Sequence, residues 1–163
     1  MKHKLASWLL LLVAMSWGLA FVTMKDALGR QSVNSFLFYR FALAAIALMI
    51  VHPQIFKKLD KDIIKHGGIT GLFLAAGFIF QTYGLDMTGA AVTGFITGLY
   101  VVLTPLIAAF LLRENLTSQA WFYIALATLG LAVLSVSGWS IGAGEFFVLI
   151  SAFLFAAHIL LLS

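Results

Sequence analysis

Residues 88–112, TGAAVTGFITGLYVVLTPLIAAFLL, run for 25 positions without a charged side chain. A helix rising about 1.5 Å per residue crosses roughly 30 Å of hydrocarbon in about 20 residues, so this stretch reaches across a bilayer. Similar stretches lie on both sides of it. Leu5–Met24, Val33–Val51, Gly67–Leu85, Gln119–Val136 and Phe146–Ser163 are each predominantly apolar and near spanning length. The 163-residue chain is 63% hydrophobic and only 10% charged, with a mean hydropathy of +1.07. Soluble domains carry about 25% charged residues. A water-soluble fold of this composition would leave most of its surface apolar, which lipid tolerates and water does not. The expected class is an all-α membrane protein with about six transmembrane helices.

The polar segments between these spans are short. Lys25–Gln31 follows the first, and His52–His66, with Pro53 and four lysines, is the longest and reads as a loop with an amphipathic turn at the membrane surface. Asp86 and Met87 make a tight break before the quoted stretch, Arg113–Thr117 ends it, and Ser137–Glu145 contains three glycines. Lys2 and Lys4 ahead of Leu5–Ala14 have the look of a secretory leader, but the apolar run continues to Met24, so an uncleaved first helix is expected. The last span stops with the chain and has no flanking charge, which reads as a truncated product or a fragment.

Basic residues set the expected orientation. Lys2, Lys4, Lys57, Lys58, Lys61, Lys65 and Arg113 fall on one side, against Lys25 and Arg30 on the other, which puts the N-terminus in the cytoplasm. The formal charge of +4 is spread through loops rather than gathered in a patch, so nucleic acid is not an expected partner. The lipid bilayer is. Cysteine is absent, which removes disulfide and thiolate chemistry.

A polar or ionisable side chain inside a span is costly and tends to face a cavity or a partner. Arg40 lies seven residues past Val33, roughly 10 Å from the outer surface by the helical rise. Either it faces a cavity and binds an anionic part of a substrate, or it snorkels outward or pairs with Asp26, Asp86 or Glu145. Gln81, Trp17 and Tyr83 sit at comparable depths and Tyr100 near mid-span; they either line an outer-half cavity or, for the aromatic rings, follow the interface. Gly94 and Gly98 have the GxxxG spacing that serves close helix packing, and Pro105 in the same span frees the Val101 carbonyl and bends the helix.

Other chemistry has no visible apparatus. All six acids lie in loops or at span ends, so no carboxylate stands at mid-membrane as a proton relay. His3, His52, His66 and His158 lack metal-ligand spacing, and His158 reads as a packed or hydrogen-bonded helix residue. No glycine-rich phosphate loop is present, which excludes ATP-driven transport by this chain. Neither a catalytic group, a metal nor a cofactor is expected.

Several stretches in order carry a family resemblance. Ser16-Trp17-Gly18-Leu19-Ala20-Phe21-Val22 resembles the tryptophan–glycine step in the first helix of EamA-domain proteins, in the drug/metabolite transporter superfamily. Phe38-Tyr39-Arg40-Phe41 resembles the arginine–aromatic start of that family's second helix. Thr88–Tyr100 is similar to its fourth helix, and the likeness continues through Thr104-Pro105-Leu106 to Arg113-Glu114-Asn115-Leu116-Thr117. The resemblance implies ten helices in two inverted five-helix repeats around a central cavity with alternating access. On that scheme residues 5–136 are one repeat and residues 145–163 the first helix of an inverted second, with Phe155-Ala156 echoing Trp17-Gly18. The implied function is transport, by resemblance export, of a small metabolite or drug-like solute. Arg40 and Gln81 would orient polar groups of the substrate, while Trp17 and Tyr100 would contact apolar parts. A homodimer or a second half-transporter would complete the cavity. The alternative is a non-transporting membrane scaffold or regulatory subunit assembled with another chain through the Gly94/Gly98 face.

Overall fold

Long apolar runs punctuated by capping residues produce a bundle of helices in the computed structural model, which describes residues 2–54, 59–112, 116–135 and 142–162. The elements are α1 (Lys2–Leu28), α2 (Val33–Val51), α3 (Lys61–Met87), α4 (Ala90–Gly98), α5 (Tyr100–Leu112), α6 (Ser118–Ser135) and α7 (Ala143–Leu162). By length and composition, five stretches suffice to cross a membrane among the described residues: Ala6–Leu28, Val33–Val51, Lys61–Met87, Ala90–Leu111 and Ala143–Leu162. Helix α6 falls on the remaining expected span, whose last residue, Val136, lies outside the described residues, as do Arg113–Asn115. The chain is a multi-pass α-helical membrane protein. Large apolar side chains such as Trp8, Leu10, Ile50 and Phe110 are exposed along the helices, as lipid contact requires.

Helix starts are fixed by local hydrogen bonds. The first N–H groups of a helix have no intrahelical acceptor, and a short polar side chain supplies one. Ser32 accepts from the Ser35 N–H at 3.3 Å and Asp60 from the Ile63 N–H at 2.7 Å. The Thr117 hydroxyl accepts from the Ala120 N–H at 3.2 Å at the start of α6.

Three boundaries differ from expectation. Helix α1 runs through Lys25 and Asp26 to Leu28 because Lys25 has partners: its amine donates to the Leu85 and Asp86 carbonyls at 2.8 and 2.7 Å. Those carbonyls belong to the last turn of α3, where carbonyl acceptors lack intrahelical donors and the dipole favours a cation. Asp60 starts α3 six residues before the expected Gly67, turning part of the polar segment into helix. The quoted stretch is broken at Leu99, not at Pro105. There the Leu99 N–H donates to the Ile96 carbonyl at 3.1 Å and the Val102 N–H to the Leu99 carbonyl at 2.9 Å, a tightened turn. Helix α5 continues through Pro105, and the break falls upstream beside Gly98, which has no side chain to obstruct the tightened turn.

The centre of the bundle is the pairing of α3 with α7. On α7 the buried residues Gly144, Val148, Ser151, Ala152, Phe155 and Ala156 recur every three or four positions and form one face. On α3, Gly77, Gln81, Gly84 and Leu85 do the same. A Cβ on Gly84 would collide with Val148 Cγ2 and come within 2.7 Å of the Gly144 carbonyl oxygen; one on Gly77 would come within 2.6 Å of the Phe155 ring. Without water to drive apolar surfaces together, contact at this range lets dispersion hold membrane helices in register. The expectation that Gly94 and Gly98 provide the close helix contact is not met. A Cβ on Gly94 would touch only the Phe21 ring, at 3.4 Å, and one on Gly98 would meet open space. The side chain of Thr88, which caps α3, donates a short hydrogen bond to Glu145 in the first turn of α7, where the helix dipole favours an acid.

Gly84→Ala should therefore destabilise the folded chain by about 1–3 kcal/mol through overpacking at α7. Gly68→Ala, where the added methyl meets nothing within 4 Å, should be neutral or stabilising by about 0.4–1 kcal/mol. Thermal unfolding in detergent measures both; equal effects would contradict the packing described.

Candidate functional site

Helices α1, α2, α3, α4, α5 and α7 each contribute side chains to one open cleft of about 600 Å³. Its walls follow helical periodicity. Ala14, Trp17, Gly18, Phe21 and Met24 come from one face of α1, Leu74, Phe78 and Gln81 from one face of α3, and Phe155, His158 and Ile159 from α7. Gly94, Thr97 and Gly98 leave room on the α4 side, so the glycine pair opens space where helix contact was expected. The lining is mainly apolar, with a few convergent polar groups, as small-molecule sites are.

Arg40, Gln81, Trp17 and Tyr100 all line this cleft. Arg40 is half-buried. Its guanidinium lies 4.4 Å from the centroid of the Phe78 ring, and Nη1 stands 3.4 Å from Met24 Sδ. The acids considered as its partners are engaged elsewhere or do not reach it. Asp26 pairs with Arg30 at 2.9 Å and Glu145 accepts from Thr88. Among the described residues Arg40 forms no salt bridge. Gln81 is buried, 5% exposed, and its amide nitrogen donates to the Thr97 hydroxyl at 3.1 Å, which holds α3 to α4. Tyr100 is half-buried, and Trp17, 59% exposed, stands at the rim. Tyr83 is not part of the wall; its hydroxyl donates to Asn34 Oδ1 at 2.7 Å.

Phe78, Phe155 and His158 are among the wall residues not singled out in the sequence as cleft residues. Phe78 and Phe155 meet edge to face with centroids 5.2 Å apart, and Tyr100 adds a third ring 6.5 Å from Phe155. His158 is hydrogen-bonded, as expected: Nδ1 lies 2.8 Å from the Thr70 carbonyl, which only accepts, so Nδ1 carries the proton. It also lines the cleft. Counting three and seven positions back from Gln81 reaches Phe78 and Leu74, so the face was accessible from helical periodicity once Gln81 was chosen. Among the described residues every buried side-chain nitrogen or oxygen has a hydrogen-bond partner, and no cluster of His, Cys, Asp or Glu has the makings of a metal site.

A helical membrane bundle with a mainly apolar cleft, lined among the described residues by Arg40 and a few amide and hydroxyl groups, defines the class: a polytopic α-helical membrane protein with a cleft between its helices. The chain matches the EamA-like transporter family over residues 4–136, and it belongs to that family. It is 34% identical over 163 residues to an uncharacterized transporter of Archaeoglobus fulgidus, an alignment that covers 99% of this chain and 50% of that protein. The chain therefore spans about half the length of this curated relative. No solved structure matches it.

The absence of native cysteine makes the cleft directly testable. A cysteine at Gly98, where a side chain meets open space, should react with a small water-soluble thiosulfonate in membranes. A cysteine at Ala152, fully buried on the α7 face, should stay protected. Equal labelling of the two would contradict the assigned walls.

Proposed function

We propose that the chain forms part of a transporter that carries a small metabolite or drug-like solute across the bacterial cytoplasmic membrane by alternating access, in the direction of export. The observation that carries this reading is the half-buried Arg40 on the wall of an open, mainly apolar cleft in a chain of the EamA-like transporter family. Arg40 and Gln81 orient polar groups of the solute, and Trp17 and Tyr100 contact its apolar parts. Keeping one cation inside a membrane protein is costly, and a solute that neutralises it gains the binding that the protein forgoes when empty.

The N-terminus is cytoplasmic in this proposal, supported by seven Lys and Arg residues against two on alternate sides. Residues 5–136 constitute a five-helix repeat, and residues 145–163 open an inverted second one. Two observations support the division. Both α1 and α7 pack against α4, and the aromatic members of the two steps, Trp17 and Phe155, line the same cleft. A second half-transporter or a second copy of the chain closes the open side.

The test is solute efflux from cells expressing the chain, compared with an Arg40→Ala variant matched for membrane abundance. The variant should lose efflux by about tenfold or more, the worth of one charge-assisted hydrogen bond. A variant that exports as well as the parent, with only its thermal stability changed, would overturn the proposal in favour of a membrane scaffold.

A further inference from the structure

The charge content of the cleft is one-sided. Arg40 is a permanent cation, and among the described residues no Asp or Glu lines the cleft. A guanidinium has five N–H donors and no acceptor. Of these, one nitrogen reaches Met24 Sδ, a weak acceptor, and the guanidinium carbon lies over the Phe78 ring. Neither contact neutralises it. A cation in so apolar a setting is stabilised when an acceptor of opposite charge enters, and the described residues supply none at the cleft.

The rest of the wall constrains what that acceptor is attached to. Phe78, Phe155 and Tyr100 form a linked run of rings, edge to face, and Trp17 stands at the rim. Gly98 leaves open space beside them. Such walls suit a flat, apolar body, and the cleft volume lies in the range of small-molecule sites. An ammonium group would meet the like charge of Arg40 and no carboxylate. His158 offers no anion either, its Nδ1 proton being committed to the Thr70 carbonyl.

Building on the cleft as a substrate site, we infer that it selects organic anions: a carboxylate or comparable oxyanion carried on a ring-bearing apolar body. The oxyanion takes two parallel hydrogen bonds from the Arg40 fork, whose face is held against Phe78, and the body lies along Phe155 and Tyr100. Solutes whose charge is an ammonium are disfavoured.

Calorimetric titration of the full chain in nanodiscs, corrected for empty nanodiscs, tests this with three probes of one shape: 2-naphthoate, 2-naphthylmethanol and 2-naphthylmethylammonium. The parent chain should bind the anion at least about tenfold more tightly than the neutral alcohol, with the cation weakest. Arg40→Gln should erase the preference for the anion over the alcohol, and Arg40→Lys should restore part of it. The probe series on the parent chain stands even if a variant fails to fold. Equal affinity for anion and alcohol, tighter binding of the cation, or no binding of any probe would overturn the inference. Charge-selective binding without flux would sustain it while removing the transport proposal; flux indifferent to charge would do the reverse.

Discussion

Everything in this bundle that positions a side chain depends on how closely α7 can approach α3. A helix pair in lipid has no hydrophobic drive toward its partner, so packing distance decides whether the pair forms. Gly77 and Gly84 on α3 and Gly144 on α7 remove the side chains that would stand between the backbones. Val148 and Phe155 fill the spaces left behind. At one end of the same pair, hydrogen bonds finish what packing begins: Thr88 to Glu145, and Lys25 to the last carbonyls of α3. Lys25 satisfies the last carbonyls of α3, and the Thr88–Glu145 side-chain bond joins that end to the first turn of α7, so the ends of α1, α3 and α7 are tied.

The cleft is a consequence of that pairing. Phe155 can lie against α3 only because Gly77 has no side chain, and its ring then meets Phe78 on one side and Tyr100 on another. Phe78 in turn is the platform under Arg40. A contact made for helix packing thus reaches the intramembrane cation through two aromatic rings. Gln81, one turn from Phe78, bonds Thr97 and fixes the α4 wall from the same α3 face. Cation, platform and wall are held by one helix pair and its nearest neighbours.

The spans were legible because the bilayer imposes a simple demand on sequence: enough apolar residues in a row, with the backbone satisfied inside each helix. Arg40, Gln81, Trp17 and Tyr100 drew attention for the same reason, as polar or aromatic groups at depth. Neither Phe78 nor Phe155, which is marked in the sequence only as the echo of Trp17, stands out as a cleft residue, since an aromatic ring on a membrane helix has the same composition whether it faces lipid or a cleft. The Gly94/Gly98 spacing misled because GxxxG states that a helix face is flat, not what lies against it. Here Gly94 meets only the Phe21 ring and Gly98 borders open space, while glycines seven residues apart on α3 carry the close contact. The early start of α3 is encoded in Asp60, a capping residue three positions before Ile63, but the lysines around it give the segment the composition of a loop.

The most direct measurement of the central claim is a double-mutant cycle between Gly77 and Phe155, read by equilibrium unfolding in detergent. The three atoms nearest the methyl of Gly77→Ala all belong to the Phe155 ring, so its cost should be carried mainly by that ring. In the parent chain Gly77→Ala should destabilise by about 1–3 kcal/mol. In a Phe155→Leu background it should be nearly neutral, giving a coupling of about 1 kcal/mol or more. Additive effects, with Gly77→Ala equally costly in both backgrounds, would contradict the claim that this contact seats α7 and builds the cleft.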